Sequence, residues 1–128
     1  MSPQTAAALA GIGQIAVRVR DVDRATAFYR DVLGLSYLFS APKLAFLDCG
    51  GVRLMLSLPE SSEFDHPSSI IYFRVTDIQG TYALLQGRGV SFKHAPHLIA
   101  RLPDHELWMT FFDDPEGNTL ALMSEVRD

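Results

Sequence analysis

The chain has 128 residues, 48% of them hydrophobic and 20% charged, which allows one packed core but hardly two independent domains and argues against long disordered stretches. A formal charge of −4 leaves no broad basic surface for phosphate backbones or anionic lipid, so nucleic acid and membrane are excluded as expected partners in favour of a small molecule. The single cysteine, Cys49, cannot form an internal disulfide and excludes thiolate-rich metal clusters within one chain.

Residues 1–10 are alanine-rich, without a basic n-region or a long apolar run, and are expected to form a flexible N-terminal tail on a cytoplasmic protein. In Gly13 to Asp21, Ile15, Val17 and Val19 alternate with Gln14, Ala16 and Arg18, which predicts a strand with one apolar face. A helix follows: Asp21 or Asp23 caps it, Val22, Ala25, Phe28 or Tyr29, Val32 and Leu33 recur at helical spacing, and Gly34 stops it. Three apolar runs, 37–39, 44–47 and 52–56, are separated by turn-forming residues. Residues 11–57 thus read as one βαβββ module.

Residues 58–69, rich in proline, serine and acids, read as a connection that leaves His66 exposed. The pattern then restarts: RVRDV at 18–22 aligns with RVTDI at 74–78, a displacement of 56 residues, and Ser36-Tyr37 answers Ser91-Phe92. Residues 70–126 form the second module, with a long hairpin turning at 102–105. From that turn, Arg101 should oppose Glu106, Ile99 should oppose Trp108, and His97 should lie near Thr110, well away from His105. Asp114-Pro115-Glu116-Gly117 is a second turn, answered in the first copy by Asp48-Cys49-Gly50-Gly51.

Together, VRDVDRATAFYRDVLGL and the FFDDPEGN hairpin make the chain resemble the vicinal oxygen chelate superfamily, which includes glyoxalases, bleomycin-binding proteins, fosfomycin-modifying enzymes and extradiol dioxygenases. The resemblance implies an α+β fold in which two βαβββ modules form a half-open mixed β-barrel, a cup, with the helices outside. It also implies a divalent metal held by His, Gln or Glu side chains from the first and last strands of each module. The matching positions here are Gln14, Leu54, Ile70 and Ala121, of which only Gln14 carries a donor, so no cofactor is expected, and a metal would need other ligands.

The alternation places Gln14, Ala16, Arg18, Ile70, Tyr72 and Arg74 on the cup face, with Leu54, Ala121 and Met123 beside them. Gln14 is a candidate hydrogen-bonding group or residual metal ligand, Arg18 and Arg74 are a candidate clamp for an anion, and Tyr72 offers a hydroxyl. Trp108 and Phe111 are candidates for stacking on a flat ligand or for packing. His105 and Glu106 are the candidate acid/base pair, and His97 and His105 are the candidate unconventional metal ligands; His94 and His97 form a further local pair. The expected function is binding of a small organic molecule by a homodimer. The competing reading is a metal-dependent lyase, isomerase or dioxygenase with non-standard ligands.

Overall fold

The computed structural model describes residues 8–127; most of the expected tail, residues 1–7, lies outside them. The first module runs β1 (Gln14–Arg18), α1 (Val22–Ala27), β2 (Ser36–Ala41), β3 (Leu44–Cys49) and β4 (Val52–Ser57). The second runs β5 (Ile71–Arg74), α2 (Ile78–Gly87), β6 (His97–Arg101), β7 (Glu106–Asp113) and β8 (Thr119–Val126). Each module is a four-stranded sheet, ordered β1-β4-β3-β2 and β5-β8-β7-β6, in which the first and last strands pair in parallel and the others antiparallel. Two mixed sheets with two helices make the expected open βαβββ cup.

The repeat is visible down to its caps. Asp21 accepts the Arg24 N–H and Asp77 accepts the Gly80 N–H, both at 3.0 Å, and both caps have nearly the same backbone angles. An aspartate there satisfies a helix N–H that has no partner within the helix. The first helix ends in a π-helical turn, Phe28–Val32, closed by Leu33 N–H to Phe28 C=O. The wider turn seats Tyr29 fully in the core with Phe28 edge-on beside it.

One core joins both modules. Val17, Val19, Leu47, Leu54 and Leu56 from the first sheet, Phe112, Leu120 and Leu122 from the second, and Ala25, Tyr29, Ile78 and Leu85 from the helices belong to a single buried cluster. No described helix is long and apolar enough to cross a membrane.

The modules are stitched by the turn between β7 and β8. Asp114, 5% exposed, accepts hydrogen bonds from the Tyr29 hydroxyl (2.7 Å), the Glu116 and Asn118 N–H groups (2.8 Å each) and the Asn118 side-chain amide (2.9 Å). Asn118 also donates to the Arg18 carbonyl at 2.8 Å, and Glu116 accepts the Arg20 and Asp21 N–H groups and the Arg24 guanidinium. Burial and the neighbouring Asp114 carboxylate push the Tyr29 phenol far above its usual range, so it remains a donor. For Glu116, burial raises the pKa, but the Arg20 N–H and the Arg24 side chain outweigh it and hold the carboxyl below its ordinary value.

Tyr29→Phe leaves Asp114 short of one donor and should cost about 2 kcal/mol, read as a lower urea midpoint at unchanged slope. Because the folded-state pKa of Glu116 is depressed, its contribution is present above about pH 4.5, the ordinary value, and is lost as pH falls below it. Glu116→Gln should therefore be less stable than the parent at neutral pH, and melting curves should show the gap closing in acid.

Candidate functional site

Pairing registers give the cup floor row by row, because side chains paired across a sheet share a face. In the first sheet the rows are Gln14, Arg53, Asp48 and Ser36; then Ala16, Met55, Phe46 and Phe39; then Arg18, Ser57, Leu44 and Ala41. In the second they are Tyr72, Ala121 and Phe111, followed by Arg74, Met123, Met109 and His97. Gln14, Ala16, Arg18, Tyr72, Arg74, Ala121, Met123 and Phe111 therefore share the face that their alternation implies.

Three expectations need correction. Leu54 is 1% exposed and faces the helices, paired with Ile15; the cup residues of β4 are Arg53, Met55 and Ser57. The first-module turn carries two glycines, Gly50 and Gly51, both at positive φ, so counting from the first of them lands one residue short. Trp108 pairs with Ser124 on the helix side and packs against the core, so it does not share the cup face with Phe111. Arg101 does oppose Glu106, but a bulge between Leu98 and Ala100 sets Leu98, not Ile99, opposite Trp108 and turns His97 onto the cup face beside Met109 rather than near Thr110. Phe92, which answers Tyr37 in the repeat, lies outside the strands and forms an isolated bridge to Phe112.

A cavity of about 600 Å³ lies over the first sheet, floored by Gln14, Ala16, Arg18, Met55 and Ser57 and walled by the connection through Phe64 and His66. His66 is exposed, as expected, yet it is also part of this wall. Asp65 ties the connection down, 3.2 Å from Arg18 and 3.3 Å from Arg20, and the Arg18 N–H donates to the Ser68 hydroxyl at 2.8 Å. Gln14 is held on both sides: the Arg53 Nε–H donates to its Oε1 at 3.0 Å, and its Nε2 lies 3.4 Å from the Met55 sulfur.

Over the second sheet the rings form a platform. Tyr72 and His94 each meet Phe111 edge-on at 5.8 Å between centroids, and His94 meets His97 at 4.5 Å. The buried Thr110 hydroxyl fixes this segment by donating to the His94 carbonyl at 2.6 Å. His105 and Glu106 lie apart from all this, at the β6–β7 hairpin. His105 Nδ1 is 2.7 Å from Asp104, whose carboxyl it holds below the ordinary range, while Glu106 accepts the Trp108 indole N–H at 3.1 Å. They line a separate groove at the hairpin tip and not the cavity, and His97 sits at the far end of β6 from His105. Burial, then the neighbouring Asp48, push the Cys49 thiol up, which disfavours the nucleophilic thiolate.

This fold has recognisable relatives. A sequence model of the glyoxalase/bleomycin resistance protein/dioxygenase superfamily matches residues 11–122, and the chain belongs to that superfamily. It is 29% identical over 126 residues to the uncharacterized protein YraH of Bacillus subtilis, covering 85% of this chain and 94% of that one. Among solved structures it resembles a member of the same superfamily from Sphaerobacter thermophilus, at 26% identity and TM-score 0.77, over 91% of this chain and 98% of that one. It shares its fold with a lactoylglutathione lyase from Agrobacterium tumefaciens, at 23% identity and TM-score 0.69, over 91% and 95% of the two chains.

With the register corrected, the positions that answer the family's metal ligands are Gln14 on β1, Met55 on β4, Ile70 just before β5 and Ala121 on β8. An amide already bonded to a guanidinium, a thioether and two hydrocarbon side chains do not fit a hard divalent cation. Among the described residues, no three His, Cys, Asp or Glu side chains are grouped to hold a metal ion.

The register makes a direct prediction. Leu54→Ala should cost about 2–5 kcal/mol, the range for a buried leucine, whereas Met55→Ala on the cup face should leave thermal stability much closer to the parent; equal losses would contradict the assignment.

Proposed function

We propose that the chain is a cytoplasmic small-molecule-binding protein that seats an organic compound on the cup floor by shape, stacking and a few hydrogen bonds. The observation that carries this reading is the cavity of about 600 Å³ above the first sheet, apolar at Ala16, Met55 and Phe64, with Gln14, Arg18, Ser57, Glu60 and His66 among its polar groups. A concave site that combines apolar surface with convergent polar groups is a usual form of a small-molecule site. Tyr72 and Phe111 offer a second, aromatic surface in the other half of the cup.

The proposed working form is a homodimer. β2 is an edge strand with every residue exposed, Tyr37, Leu38 and Phe39 among them, and pairing with a second copy would cover it. The competing reading, a metal-dependent lyase, isomerase or dioxygenase, draws on one observation: His94 and His97 are adjacent, with His97 turned onto the cup face.

Screening a compound library by thermal shift, then measuring the affinity of any hit for variants, tests the reading. Gln14→Ala and Tyr72→Ala should each weaken the hit by about tenfold, the loss of one good polar or stacking contact, without unfolding the chain. Unchanged affinity in both would refute the cup as the site. Metal-dependent turnover abolished by His97→Ala would establish the enzyme reading instead.

A further inference from the structure

At the Gln14 end of the cup floor stands an exposed cation, Arg53. Arg53 is the strand neighbour of Gln14, and its Nε–H donates to the Gln14 oxygen at 3.0 Å. Its guanidinium carbon lies 5.9 Å from the Phe39 ring centroid and 5.2 Å from that of Phe46, two rings stacked at 4.4 Å. Arg53 is exposed beside the cavity rather than in its lining, and these contacts favour one placement of its guanidinium. Its two terminal nitrogens have no hydrogen-bond or ion-pair partner among the described residues. Asp48 stands directly opposite on β3, yet forms no ion pair with it.

A guanidinium held in this way presents two parallel N–H donors, the match for a carboxylate, and little further ordering is needed to use them. We propose that Arg53 is an anion-recognition residue and that the cup takes an organic carboxylate. The apolar body rests on Ala16 and Met55, and the carboxylate accepts from the outward nitrogens of Arg53. Gln14 is the positioning residue, since it holds Arg53 on one side and borders the cavity on the other. This inference rests on the cup-binding reading and adds the chemical class of the ligand. It also gives the departure from the family's metal ligands a consequence: the positive charge at this end of the floor belongs to a side chain.

The test is a titration of the full-length, ¹⁵N-labelled chain with benzoate and with its neutral isostere benzamide, followed by NMR. Benzoate should move the Gln14, Met55 and Arg53 Nε signals saturably, and benzamide should bind at least about tenfold more weakly, the share of one charge-assisted contact. Arg53→Gln should lose a similar factor for benzoate and much less for benzamide, whose neutral carbonyl makes only an uncharged contact, with a dispersed spectrum showing that it folds. Asp48→Asn, which removes a competing carboxylate, should tighten benzoate several-fold. Equal affinities for the two probes, unaffected by Arg53→Gln, would overturn the carboxylate inference while leaving the cup reading standing. No benzoate shift at these three residues at millimolar concentrations would also overturn the inference; the cup reading is judged separately, by whether Gln14→Ala and Tyr72→Ala weaken a screened ligand.

Discussion

The Asp114 carboxylate is the point on which the rest of the molecule depends. It is buried, and its two oxygens collect four hydrogen bonds, three from its own turn and one from Tyr29, 85 residues earlier in the chain. A carboxylate out of water is tolerated only when its lone pairs are met, and among the described residues no buried side-chain nitrogen or oxygen lacks a partner. Satisfying Asp114 therefore places α1 of the first module against the last hairpin of the second. Asn118 and Glu116 extend the join to the end of β1, which sets one sheet relative to the other and gives the cup its form.

With the sheets placed, strand alternation decides what the cup contains. The parallel pairs β1–β4 and β5–β8 send one row of side chains to the core and the next to the cup. The core rows are mainly apolar, with Thr110 and Ser124 buried among them, while the cup rows mix small apolar residues, aromatic rings and a few polar groups. The connection between the modules then closes one half of the cup, clamped by Asp65 between two arginines. In the other half, Tyr72, Phe111, His94 and His97 remain an open aromatic surface.

Much of the fold was legible in the chain because its signals are local. An aspartate before each helix, glycines after it, alternating strands and a 56-residue displacement are all short-range features, and each corresponds to an observed cap, stop, strand or repeat. The cup face of β1 and β5 followed from the same alternation. What escaped depends on register, which one extra residue inverts. The double glycine before β4 hid Arg53 and Met55 behind Leu54, and the bulge at Ile99 hid the turn of His97 into the cup. Phe64 and His66 joined the cavity wall through tertiary placement of a connection that carries no periodic signal; the apolar Phe64 among polar neighbours was the one available hint. Trp108 was ambiguous from sequence, since an aromatic residue in a strand serves a core as readily as a ligand.

A cup whose family ligand positions hold an amide, a thioether and hydrocarbon side chains, with a guanidinium bonded to the amide, should take up organic ligands rather than a resident divalent ion. Elemental mass spectrometry tests this most directly, on protein purified without chelators or a metal-affinity column and then incubated with manganese, iron, nickel or zinc. Metal far below one equivalent per chain is the predicted result. Near-stoichiometric metal that is lost in Gln14→Ala would contradict it and return the cup to metal chemistry.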